Sequence, residues 1–193
     1  MLKFKKQLIL ASQSPRRKIL LSQIVSQKFK IVKSGIEEIM DTKISFQKNV
    51  QKIAEQKAIN VSQKFKNAIV IAADTIVCLN GTYFGKPKDE NDAFKMLKQL
   101  SGKTHIVFTG YSIIDTKTKK NVTNFCSTKV KFKKLLQNEI VSYIKTSFPL
   151  DKAGSYGIQD DFGAVFVEKI NGDFYNVVGL PICKLYNDLK KFL

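Results

Sequence analysis

The segment Ser12-Gln13-Ser14-Pro15-Arg16-Arg17 places two hydroxyls and a proline directly before a pair of arginines. Backbone N–H groups at a helix start carry partial positive charge and take phosphate, and adjacent arginines add charge-assisted bonds to the same anion. The Walker pattern GxxxxGK[ST] is absent, so the segment reads either as a triphosphate cradle of another kind or as a capped helix with solvated arginines. Asp74 interrupts the most apolar run of the chain, AIVIAADTIV. A carboxylate in such a strand is costly unless it meets a cation, a metal or the mouth of a cleft. There it can ligate Mg²⁺ or Mn²⁺ or accept a proton from water, with the Thr75 hydroxyl beside it. The structural alternative pairs Asp74 with Lys57 or with turn amides.

Glu37 and Glu38 follow the Gly35 turn and offer a second carboxylate to a divalent ion, or else form an exposed acidic pair. Lys57 falls on an apolar helical face and Lys86 stands between Gly85 and Pro87. Lysines so constrained can stabilise charge developing on a transferring phosphoryl group. Lys152, Gly154, Tyr156, Gly157 and Gln159 share a glycine-rich segment that permits close approach to a ligand, where the Gln159 amide could read a base edge. The single histidine, His105, lies in a strand-like context and reads as structural, and no Ser/His/Asp triad emerges. Carboxylates, lysines, a double-arginine helix start and an amide-bearing loop together describe a site for a metal-bound polyphosphate.

These residues need elements to hold them. A short apolar run at about 7–12 precedes a helix opened by Ser14 as cap and Pro15 in the first turn. Alternation near 29–32 suggests a strand, and Val50, Ile53, Ala54, Lys57, Ala58 and Val61 recur at helical spacing within about 46–65. Residues 68–77 read as a central strand buried on both faces, followed by a hairpin turn at Asn80-Gly81. A helix over about 89–100, strands over about 104–114 and 121–132, and a short helix near 139–144 follow. DKAGSYGIQDDFG reads as a loop; the alternation through Val165, Val167, Ile170, Phe174 and Val177 predicts a hairpin turning at Asn171-Gly172, and a closing helix starts at GLPI.

Composition narrows the class. With 193 residues, 44% hydrophobic and 25% charged, the chain reads as one globular domain, which still allows two compact lobes. Lys+Arg 33 against Asp+Glu 16 gives a net charge of +17, attractive to polyanions. The excess is mostly lysine spread through every segment, without the RNP pattern or a zinc finger, so no specific nucleic-acid partner is expected. Cys78, Cys126 and Cys183 are widely spaced and odd in number, which suggests reduced thiols and a cytoplasmic protein. No run approaches the ~20 apolar residues of a membrane span.

In chain order, LASQSPRRKILL, GIEE, AADTIV, GKP, MLKQLSGKTH, DKAGSYGIQ and VVGLP resemble the Maf family of nucleoside triphosphate pyrophosphatases over nearly the whole chain, so that 1–193 reads as a single such domain. The resemblance implies an α/β fold related to inosine triphosphate pyrophosphatases, with a mixed twisted sheet, flanking helices and two lobes around a deep cleft. It implies hydrolysis between the α- and β-phosphates of a nucleoside triphosphate, giving the monophosphate and pyrophosphate, with Mg²⁺ or Mn²⁺ as cofactor. By motif, Asp74 would accept the proton of water and Glu38 would help it hold the metal. Ser12, Arg16 and Arg17 would bind phosphates, while Lys57 and Lys86 would neutralise developing charge. DKAGSYGIQ looks like the branch acting on dTTP and UTP rather than 7-methyl-GTP, with Arg16, Thr75 and Gln159 at positions of substrate choice. Two positions depart from the family pattern: Phe148, where relatives often carry an acidic residue, and Asp160, where glycine is usual. A homodimer is compatible with the resemblance. The family name also carries an alternative role, a nucleotide-binding regulator of septation with little turnover.

Overall fold

The computed structural model describes residues 1–146, 149–159 and 162–193. It contains a seven-stranded mixed sheet with flanking helices, in the order β2-β1-β3-β5-β6-β7, with β4 paired to β3. The strands are β1 (Gln7–Leu10), β2 (Phe29–Ile31), β3 (Ala68–Leu79), β4 (Thr82–Phe84), β5 (Thr104–Asp115), β6 (Asn121–Phe132) and β7 (Val167–Asn171). The chain divides into two compact units, one of residues 1–74, 109–126 and 179–193, the other of residues 75–108 and 127–178.

In the first unit β1 pairs parallel with both β2 and β3, Leu8 standing opposite Phe29 on one side and Ile69 on the other. Parallel strands are covered on both faces, which is why β1 and the first half of β3 are continuous apolar runs rather than alternating ones. Helix α1 (Pro15–Ser22) starts where the Ser14 hydroxyl accepts the Arg17 N–H at 3.4 Å, and it buries Leu20 and Leu21. Helix α2 (Phe46–Ser62) is capped by Ser45. Its Ala58 and Val61 join Ile9, Ala11, Ala68, Val70 and Ala72 in one core. Close approach of α2 to β5 depends on Gly110, where an added Cβ would stand 2.3 Å from the Val50 carbonyl group.

In the second unit Asn80 and Gly81, both at positive φ, turn β3 back onto β4 as the Asn-Gly pair predicts. Helix α3 (Glu90–Leu100) is capped by Asp89, whose carboxylate accepts the Asp92 N–H at 2.7 Å. Helices α3 and α4 (Gln137–Thr146) contribute Leu97, Leu100, Ile140 and Tyr143 to a core shared with Phe132 and Phe166. The segment expected as a loop over 151–163 contains a short 3₁₀ turn at Ala153–Ser155 and is flanked by others at Pro149–Asp151 and Gly163–Phe166.

One expectation fails. After β7 the chain does not return as a strand but forms helix α5 (Phe174–Val178). The cause is local: the Asp173 carboxylate accepts the Tyr175 and Asn176 N–H groups at 2.8 and 3.3 Å, capping a helix where alternation alone suggested a hairpin. The Asn176 side chain then donates to the Val107 carbonyl at 3.0 Å and the Thr128 hydroxyl at 2.9 Å, uses that a second strand would not provide. Helix α6 (Ile182–Leu189) closes the chain. Among the described residues no helix is long and apolar enough to cross a membrane, and Cys78, Cys126 and Cys183 are unbridged.

Candidate active site

Asp74 interrupts the apolar run of β3 at mid-strand and is only 4% exposed. Its carboxylate meets the Lys57 ammonium at 2.7 Å, and the same ammonium stands 2.7 Å from the Glu38 carboxylate. Lys57 reaches both because α2 turns its buried face, Val50, Ile53, Ala54, Lys57, Ala58 and Val61, toward the sheet. The pairing with Lys57 that the structural alternative named is therefore present, and a second carboxylate shares that cation. Burial raises the Asp74 pKa, opposed by Lys57 and reinforced by Glu38. A carboxylate shifted upward is a better proton acceptor near neutral pH than an ordinary one.

Glu38 comes from an irregular segment after Gly35, and its side chain remains half exposed. The anchor of this segment escaped the sequence reading. The fully buried Asn49 side chain accepts the Asp41 N–H at 2.8 Å and donates to the carbonyls of Asp41, Ile44 and Ser45. Only its polarity on the otherwise apolar face of α2 could have flagged it.

Two carboxylates converging on one ammonium form a hard oxygen donor set. No group of three or more His, Cys, Asp or Glu suited to a metal occurs among the described residues. Mg²⁺ and Mn²⁺ are held by one or two carboxylates together with substrate phosphates, and the oxygens of Glu38 and Asp74 are donors of that kind. Glu38 and Asp74 are the residues that would hold either ion.

The SPRR turn belongs to the same unit. Arg17 Nε donates to the Gly179 carbonyl at 2.9 Å, and Nη1 donates to the Ala73 carbonyl at 2.9 Å and the Ser12 hydroxyl at 3.3 Å. Burial lowers the Arg17 pKa, against the pull of Asp74 and Glu38. Arg16 is half-buried on the first turn of α1.

Thr75, Lys86 and Gln159 belong to the second unit. Thr75 is half-buried, and Lys86 and Gln159 are exposed. The Gly154 N–H donates to the Gly85 carbonyl at 3.0 Å, tying the GKP turn to the DKAGSYGIQ segment. Lys152 in that segment is buried, with its ammonium 2.7 Å from Asp151. His105 is fully buried, its Nε2 2.8 Å from the Tyr156 hydroxyl, and burial pushes its pKa down to about 4. A neutral imidazole inside an aromatic core is structural, as its strand context suggested. Phe148 and Asp160, the two departures from the motif pattern, lie outside the described residues.

The chain matches the family described as Maf-like protein over residues 7–192. A dTTP/UTP pyrophosphatase from Alkaliphilus oremlandii is 51% identical over 181 residues, which is 93% of each chain. One from Bacillus pumilus is 50% identical over 186 residues, 96% of each chain. Among solved structures, a HAM1 protein from Coxiella burnetii is similar with a TM-score of 0.50 at 13% identity, covering 96% of this chain and 99% of that one. At that identity the likeness concerns the fold.

Proposed function

The chain belongs to the Maf-like protein family, and we propose that it is a nucleoside triphosphate pyrophosphatase that hydrolyses dTTP and UTP to the monophosphate and pyrophosphate. The observation that carries this reading is the buried Asp74 carboxylate sharing the Lys57 ammonium with Glu38 at 2.7 Å each. The names of relatives about half identical to it favour turnover over a regulatory role.

Asp74, raised in pKa by burial, accepts the proton of the attacking water. The new P–O bond forms as the anhydride bond between the α- and β-phosphates breaks, and pyrophosphate leaves. Lys57 compensates the carboxylates in the ground state and faces the charge that develops on the phosphoryl oxygens. Glu38 and Asp74 would hold Mg²⁺ or Mn²⁺ together with the substrate phosphates, where the ion would supply Lewis-acid neutralisation of phosphate charge. Arg16 and the Ser12 hydroxyl are assigned to the phosphates by motif, Lys86 to developing charge, and Thr75 and Gln159 to choice of the pyrimidine base. We place the enzyme in the cytoplasm, in keeping with its unbridged thiols.

Incubation of the purified protein with UTP, dTTP, CTP, GTP and 7-methyl-GTP, with Mg²⁺ or Mn²⁺, tests the reading. UMP or dTMP with pyrophosphate is the expected product set. Release of orthophosphate and a diphosphate would refute the bond assignment, and preference for 7-methyl-GTP would refute the role of Gln159.

A further inference from the structure

The guanidinium of Arg17 in the SPRR turn is held by three acceptors of the fold itself. Arg17 Nε is committed to the Gly179 carbonyl, and Nη1 to the Ala73 carbonyl and the Ser12 hydroxyl. A guanidinium grips phosphate bidentately through two parallel N–H groups along one edge. With Nε and Nη1 occupied, each such edge of Arg17 has already given up a donor. The acceptors come from three separate stretches of the chain, and one of them, Ala73, is the residue directly before Asp74. Gly179 holds φ at 117°, a backbone conformation that favours glycine, while its carbonyl accepts from Arg17. The Ser12 hydroxyl is held twice, since it also accepts the Ser14 N–H at 3.3 Å.

We propose that Arg17 is a positioning residue: its guanidinium staples the middle of β3 to the start of α1 and to the Gly179 turn, and so fixes the place of the Asp74 carboxylate, leaving the phosphate contact of the pair to Arg16. Asp74 is thereby held from two directions, by Lys57 at its carboxylate and by Arg17 through the preceding carbonyl. Arg17 also brings positive charge to a cluster of two carboxylates and one ammonium, both Asp74 and Glu38 acting on it electrostatically.

The inference rests on the pyrophosphatase reading of Asp74, and its test separates the two. Steady-state hydrolysis of UTP is compared for wild type, Arg16→Ala, Arg17→Ala and Arg17→Lys, alongside direct binding of a non-hydrolysable α,β-imido analogue of UTP. Arg17→Ala should lose about 10²-fold in kcat, the cost of a small misplacement of a reacting group. Its KM and its affinity for the analogue should stay within about threefold of wild type, and added methylguanidinium should restore part of the kcat. Arg17→Lys should lie between, because one ammonium cannot span the carbonyls of Ala73 and Gly179. Arg16→Ala should show the opposite split, a raised KM. A rise in KM or analogue Kd of about tenfold or more in Arg17→Lys with kcat retained would overturn the proposal; this variant decides the matter if Arg17→Ala does not fold. If wild type turns over no nucleotide, the pyrophosphatase reading fails. Analogue binding then judges Arg17 alone: unchanged affinity in Arg17→Lys supports positioning, and a tenfold loss contradicts it.

Discussion

Each unit of the molecule buries a polar cluster, and the two are built by different rules. In the first unit Glu38, Lys57, Asp74 and Arg17 bring formal charges together, with Asp74 and Lys57 nearly inaccessible to water. In the second, His105, Tyr156 and Tyr143 are embedded among Phe132 and Phe166, with ring centroids 4.7 to 6.0 Å apart and edges turned to faces. Burial there removes charge: it holds the imidazole down to about 4 and pushes the Tyr156 phenol up. The His105 Nε2 and the Tyr156 hydroxyl share one hydrogen bond, and Nδ1 has no partner among the described residues. Where the fold needs only a core, ionisable groups are neutralised. Where charges are kept at the cost of desolvation, the groups are those that a polyphosphate and a divalent cation require.

The contrast can be broken most forcefully at Lys57. Lys57→Met leaves the Asp74 carboxylate buried without its ammonium, and removing one partner of a buried pair costs about 3–5 kcal/mol. Urea denaturation should register that loss, and UTP turnover should fall by about 10²–10³-fold as an electrostatic partner of the reaction disappears. Retention of wild-type turnover would remove Lys57 from the chemistry.

The second cluster should respond to pH instead. The unfolded imidazole titrates near 6.5 and the folded one near 4, so the unfolded state takes up a proton first as pH falls. The stability contributed is therefore complete above about pH 6.5 and is lost toward about pH 4, by up to about 3 kcal/mol. Thermal melts across that window should show the decline in wild type and a shallower slope in His105→Gln; equal slopes would assign the pH dependence to other groups. The smallest effect belongs to Tyr156→Phe, which removes the partner of His105 Nε2 at about 1 kcal/mol. It should lower the melting temperature while leaving kcat for UTP close to wild type. A kcat loss matching that of Lys57→Met would erase the distinction between the clusters.

Much of this was legible in the residues. β1, β3, α2 and α3 announced themselves through runs and spacings that only one kind of element satisfies, and Asp74 stood out because a charge in an apolar run demands a reason. The pairing of Lys57 with Asp74 was foreseeable from helical phase, whereas the sharing of Lys57 with Glu38 was not, since an irregular segment has no period from which to read a direction. Asn49 was hidden for a related reason: its partners are backbone carbonyls and an N–H of the segment it holds, and backbone groups leave no trace in side-chain patterning. Arg17 looked interchangeable with Arg16 because adjacent positions carry the same charge, although their places on the first turn of α1 differ by about 100°. α5 was misread since the alternation of Phe174 and Val177 outweighed a single capping aspartate, Asp173, that in fact decides the local conformation.

The most direct test of the central claim is the hydrolysis of UTP by Asp74→Asn protein at saturating nucleotide and Mg²⁺, with pyrophosphate release followed and the fold checked by circular dichroism. Loss of a positioned proton acceptor should lower kcat by about 10²–10⁴-fold while the variant still folds and binds nucleotide. Pyrophosphate release at the wild-type rate would show that the buried carboxylate in the middle of β3 is not the base.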